Sequence, residues 1–136
     1  MKKNYCLMLL VISIIAFITS CKNENQINSP VEELRSFEYA GKTYHEIRIG
    51  SQIWLKEYLD VGVMIKGSQH QTNNGIIEKY YYNDDSVNYA KYGAFYEWDE
   101  AMQYSRNEGE KGICPVGYHI PTKAEYETLK SFVNNN

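Results

Sequence analysis

The order of its two hydrophobic periodicities most constrains what this chain can fold into: alternation of period two stops near Tyr82, and helical spacing begins near Phe95. Ala40-Gly41-Lys42 separates Phe37-Glu38-Tyr39 from residues 43–49, where Ile47 and Ile49 alternate with Arg48. The spacing predicts a hairpin with Gly41 at a positive φ. Gly50-Ser51-Gln52 then turns the chain into Ile53-Trp54-Leu55, a short strand whose Trp54 is expected to anchor the core. Residues 62–75 mix Gly, Ser, Gln and Asn and read as a loop or an irregular hairpin. Residues 76–82 read as a strand ending in the turn cluster Asn83-Asp84-Asp85-Ser86. Phe95, Trp98, Ala101, Met102 and Ser105 predict a helix over residues 97–106, stopped by Gly109 and Gly112. After Pro121, Thr122 and Glu125 form a capping box, which opens a second helix with Tyr126, Leu129, Phe132 and Val133 toward the core. Strands first and helices afterwards, without βαβ alternation, define an α+β class: short antiparallel strands followed by two helices.

The first twenty residues stand apart from this body. Lys2 and Lys3 precede a run, residues 6–18, whose only polar members are Cys6 and Ser13. A bilayer span needs about 20 apolar residues, so the run fits the core of an export signal. Ile18-Thr19-Ser20-Cys21 resembles the lipobox of bacterial lipoproteins, in which the cysteine receives acyl chains such as palmitate and becomes the first residue of the mature chain. A signal cleaved without lipidation and an uncleaved anchor are the alternatives. The polar stretch that follows, with Pro30 and no aromatic residue up to Arg35, suits a tether. The expected organisation is therefore a signal peptide at 1–20, lipidated Cys21 and tether at 21–35, and a folded body at 36–136. The corresponding location is the bacterial cell envelope, lipid-anchored at the outer membrane. Two or more acyl chains hold a protein firmly, so the membrane itself is an expected partner.

Charge and cysteine usage narrow the function. The chain carries 17 acidic against 14 basic residues, and two of the lysines lie in the signal region, so the body is acidic and unsuited to nucleic acid. Cys6 leaves with the signal and Cys21 carries lipid, which leaves Cys114 as an odd thiol in an oxidising compartment. It is buried and inert, pairs between chains, or has a partner outside this polypeptide.

No motif carries an evident reaction. His45, His70 and His119 are scattered without ligand spacing, so no metal and no cofactor is expected. Asn83, Asp84, Asp85 and Asn88 offer oxygens for Ca²⁺, but a turn rich in side-chain caps accounts for them equally. Glu97 and Glu100 share a helix face and read as solvated surface. Of 13 tyrosines, Tyr80, Tyr81, Tyr82, Tyr89, Tyr92 and Tyr96 form the densest aromatic stretch. Tyr80 and Tyr82 would share a strand face opposite Tyr81, so one set is core and the other is open to stacking on sugar or protein. Tyr80, Tyr82, Asp84 and Asp85 are the candidate ligand residues, whereas Trp54, Trp98, Cys114, Thr122 and Glu125 are assigned structural roles.

Ile49-Gly50-Ser51-Gln52-Ile53-Trp54-Leu55-Lys56-Glu57, Tyr82-Asn83-Asp84-Asp85, Ala90-Lys91-Tyr92-Gly93-Ala94-Phe95-Tyr96-Glu97-Trp98 and Gly112-Ile113-Cys114-Pro115-Val116-Gly117-Tyr118-His119-Ile120-Pro121-Thr122 resemble the Fibrobacter succinogenes major paralogous domain. The resemblance covers roughly residues 44 to 133 and implies kinship with the C-type-lectin-like fold. It makes His119 a packing residue. The family often has cysteines where Tyr81 and Tyr89 stand, which implies a paired site, and tryptophan where Tyr118 and Tyr126 stand. Its members continue for several tens of residues beyond the capped helix, to a final cysteine. This implies that residues 36–136 are the N-terminal half of a lectin-like domain and that the partner of Cys114 lies in the other half. The implied function is binding of a glycan or protein ligand without catalysis. The alternatives are a truncated copy without independent activity and an enzyme of the formylglycine-generating type, which would need a reactive Cys114.

Overall fold

The computed structural model describes residues 4–5 and 31–135; the expectations for residues 6–30, Cys21 included, lie outside the described residues. In chain order the strands are β1 (Asn4–Tyr5), β2 (Val31–Tyr39), β3 (Lys42–Ile49), β4 (Gln52–Leu55), β5 (Val63–Met64), β6 (Glu78–Lys79) and β7 (Tyr118–His119). The helices are α1 (Tyr89–Tyr92), α2 (Trp98–Ala101) and α3 (Lys123–Asn134). The class is α+β, with the main sheet ordered β2-β3-β4-β1-β7 and β5 paired with β6 apart from it.

The β2–β3 hairpin closes on the pair Tyr39 and Lys42. Both residues between them have positive φ, Ala40 at 49° and Gly41 at 77°, the handedness that matches strand twist in a two-residue turn. β2 starts at Val31, inside the stretch read as tether, and a register shift between Glu33 and Ser36 bends it. Its early part runs beside Arg48 and Lys56, which pair with Glu32 and Glu33.

Alternation along β3 and β4 splits the core between the two sheet faces. Tyr44 and Leu55 point into the larger cluster, with Leu59, Met102, Ile113, Cys114 and Ile120. On the opposite face, Ile47 pairs with Trp54 across the ladder and Ile49 with Gln52, and Leu129 of α3 packs onto Trp54.

Three expectations change. The helix over residues 97–106 is reduced to α2, because Gln103 and Tyr104 adopt left-handed φ of 49° and 60°. The Ala101 carbonyl accepts from Ile113 N at 3.0 Å instead of continuing the helix. That approach requires Gly112: it sits at φ +51°, and a Cβ there would lie 2.1 Å from the Ala101 carbonyl oxygen. Residues 65–75 are a loop, one of the two readings for that stretch, and it joins β5 to β6, which run parallel rather than as a hairpin. The strand over residues 76–82 shrinks to β6 plus a bridge from Tyr80 to Phe95, after which tight 3-10 turns lead into α1. Helix α3 opens on the complete Thr122–Glu125 capping box. Of the α3 side chains expected to face the core, Leu129 is buried and Phe132 half-buried, but Tyr126 and Val133 are instead exposed, which is the third change. Among the described residues no helix is long and apolar enough to cross a membrane.

Candidate functional site: an aromatic groove beside the capped helix

Helix α2 presents one large side chain to the surface. Ala101 and Met102 remain buried, but Trp98, at the first turn, is 58% exposed. It forms one wall of a groove of about 330 Å³ together with Pro121, Thr122, Lys123 and Tyr126, with Trp54 and Ile120 lining its base. Tyr126 is 39% exposed, whereas Trp54 is 1% exposed. The groove therefore has a rigid indole base and two aromatic side chains with accessible faces.

The capped end of α3 is fixed by hydrogen bonds on several sides. Thr122 Oγ1 accepts from Glu125 N at 3.3 Å, and Glu125 Oε2 accepts from Thr122 N at 3.0 Å. Gln52 Nε2 donates to the Glu125 carbonyl at 2.9 Å, which ties α3 to β4. His119 Nε2 lies 2.9 Å from Glu125 Oε2. Burial pushes the Glu125 carboxyl up, but the bonds from His119 and Thr122 outweigh it and hold the group below the usual carboxylate range.

The candidate ligand residues do not gather in one place. The Tyr80 hydroxyl lies 2.7 Å from Gln69 O and 2.8 Å from Glu97 Oε1, so its single proton is shared between these two acceptors. Tyr82 is 48% exposed and its ring lies 4.6 Å from that of Tyr92. Asp84 Oδ1 accepts from Gly67 N at 2.6 Å, and Asp85 Oδ1 accepts from Val87 N at 3.0 Å, so both serve the local backbone. No three His, Cys, Asp or Glu side chains gather to hold a metal ion among the described residues. Trp98, assigned a structural role in the sequence, lies at the groove surface. Cys114 is completely buried. Tyr81 and Tyr89, where the resembled family often has cysteines, meet edge to face with ring centroids 6.2 Å apart.

Three carboxylates are buried and each receives a tyrosine hydroxyl: Glu46 and Asp60 were missed in the sequence, and Glu100, expected as solvated surface, is instead 1% exposed. Glu46 accepts from Tyr118 and pairs with Arg35 at 2.8 Å. Asp60 accepts from Tyr81 at 2.7 Å and from Lys79 at 2.6 Å, with Lys42 on its other oxygen. Glu100 accepts from Tyr104 at 2.8 Å and from Glu78 N at 3.0 Å. Burial raises Glu46 and Asp60, yet their hydrogen bonds bring both below the ordinary range. The tyrosines respond oppositely: burial and the adjacent carboxylate push Tyr81 and Tyr118 well up, and Tyr104 up to about 12. These tyrosines satisfy buried acids, which removes them from the pool of free binding surface.

The fold and groove define a small α+β domain with an aromatic surface cleft beside a capped helix. A family model, the Fibrobacter succinogenes major domain, matches residues 47–136, and the chain belongs to that family. No curated protein and no solved structure matches the chain.

Proposed function

We propose that this chain is a lipid-anchored protein of the bacterial cell envelope whose lectin-like body binds glycan in the Trp98–Tyr126 groove. The exposed aromatic pair over an apolar base carries the reading: sugar rings present C–H faces that stack on such side chains, and the Tyr126 hydroxyl adds a polar tip. The anchor rests on the apolar run at 6–18 and the lipobox-like Ile18-Thr19-Ser20-Cys21. Binding without catalysis agrees with the burial of Cys114, because a nucleophilic thiol must reach its substrate.

A broad glycan panel probed with the purified full-length protein tests the assignment. Binding weakened about fivefold by Trp98→Ala or Tyr126→Ala, and unchanged by Tyr82→Ala, is the expected outcome, since loss of a stacked ring is worth roughly 1 kcal/mol. No binding across the panel removes the glycan assignment and turns the groove toward a protein ligand. Loss with Tyr82→Ala alone moves the site to the Tyr82–Tyr92 face.

A further inference from the structure

The body of the chain is acidic, so a surface that holds an anion has to supply a cation not already paired with a neighbouring carboxylate. Lys123 is such a residue. Among the described residues lining the Trp98–Tyr126 groove it alone carries a charge, and it is exposed. The acid that a helix sets beside it is Glu127, four positions on, but Glu127 reaches Lys130 at 3.6 Å. Glu125 accepts from Thr122 N at 3.0 Å and lies against His119, and Asp99, next to Trp98 in the chain, pairs with Arg106 at 3.5 Å. Among the described residues, none of these acids is paired with Lys123.

Position along α3 fixes what that charge can meet. Lys123 and Tyr126 are three residues apart and neighbour each other on the helix surface, with Cβ atoms about 5–6 Å apart. A sugar ring stacked on Tyr126 therefore carries its ring substituents into reach of the Lys123 ammonium. The helix end adds no further anion site, because the capping box already satisfies the Glu125 amide and puts a carboxylate at the first turn. One ammonium in an otherwise uncharged lining matches one carboxylate, whereas a phosphate or sulfate group calls for several donors. Resting on the reading of the groove as a glycan site, we propose that it selects an acidic sugar, a uronic acid residue, and that Lys123 is the specificity-determining residue that pairs with its carboxylate.

Trisaccharides of galacturonic, mannuronic and guluronic acid, each titrated against the full-length protein beside its carboxyl-reduced form, test the selectivity. In about 20 mM NaCl, where screening is weak, at least one acidic form is expected to bind about threefold more tightly than its reduced form, the scale of an exposed ion pair. Lys123→Gln is expected to bring the two forms level without weakening the reduced one, Lys123→Arg to keep the preference, and about 1 M NaCl to remove it. Lys123 is exposed, so the Gln variant should keep the wild-type urea midpoint. Equal binding within every pair by the wild type, or a preference that survives Lys123→Gln, overturns the acidic-sugar assignment. Weakening of both forms by Trp98→Ala then leaves the groove standing as a site for neutral glycan. Binding of none of these trisaccharides also overturns the assignment, and the broad glycan panel then separates the two readings: a hit weakened by Trp98→Ala keeps the groove, and an empty panel removes it.

Discussion

Lys79 places its ammonium nitrogen 2.6 Å from Asp60 Oδ1, with only 9% and 3% of the two side chains exposed. The pair joins β6 to the segment after β4, and Lys42 of the hairpin reaches the other carboxylate oxygen while its nitrogen lies 3.6 Å from the Tyr89 ring centroid. Tyr44 accepts from Asp60 N at 3.1 Å, so the backbone is held as well. Asp60→Asn leaves the buried Lys79 ammonium without its counter-charge, and such a loss typically costs about 3–5 kcal/mol. Urea unfolding followed by tryptophan fluorescence should show a clearly lowered midpoint with an unchanged slope. A midpoint within error of wild type would show that the node contributes little.

The same carboxylates set the response to acid. Asp60, Glu46 and Glu125 all titrate below their ordinary values in the folded chain. The unfolded state therefore binds more protons in this window, and the stability they contribute is present above the unfolded values near pH 4 and lost as pH falls through the folded ones. Urea midpoints should hold between pH 7 and about 5 and then fall, with a shallower fall in Asp60→Asn.

The alkaline side is governed by tyrosine. Burial pushes Tyr80 and Tyr89 up to about 12, Tyr80 with help from the Glu97 carboxylate. A folded value above the unfolded one near 10 gives stability that is complete below pH 10 and lost as pH rises toward 12. Ultraviolet titration of tyrosinate should show a first group ionising near pH 10 and a second only above about 11, arriving together with unfolding. A single transition near 10 would contradict the hydroxyl–carboxylate pairing.

Gly112→Ala should be among the most damaging single changes. The new methyl would meet the Ala101 carbonyl oxygen at 2.1 Å, on a backbone already at φ +51°. Strain of this kind costs about 1–3 kcal/mol before any clash is relieved. Thr122→Ala, by contrast, removes one side of the capping box and should cost about 1 kcal/mol. Comparing their urea midpoints checks the order; equal losses would contradict it.

Much of the fold was legible because local signals and tertiary structure agree there. Ala40-Gly41 closes the hairpin, Ile47 and Ile49 face one side with Trp54, and Thr122 with Glu125 opens α3. The stop after Ala101 was not legible: it depends on Ile113 claiming the Ala101 carbonyl from a distant segment, and on left-handed Gln103 and Tyr104, which no residue preference announces. Trp98 shares the helical spacing of the buried Ala101 and Met102 yet is 58% exposed, so the groove could not be read from that spacing. Tyrosine density pointed to Tyr80 and Tyr82, but Tyr80 is held by Glu97 and Gln69, and Tyr81, Tyr104 and Tyr118 each satisfy a buried acid. The signal for that role was present in the excess of both tyrosine and acid; which hydroxyl meets which carboxylate is set only by packing. The pairing of β1 with two strands more than forty residues away carried no local signal.

The central claim is that Trp98 forms part of a ligand surface while Trp54 forms its buried base. Acrylamide quenching of tryptophan fluorescence, with and without a glycan selected on the panel, tests it most directly. The account predicts two populations, an accessible one from Trp98 and a protected one from Trp54, with the glycan shielding and blue-shifting the accessible one in wild type and having no such effect in Trp98→Phe. A glycan that binds while Trp98 quenching stays unchanged would contradict the groove as the site.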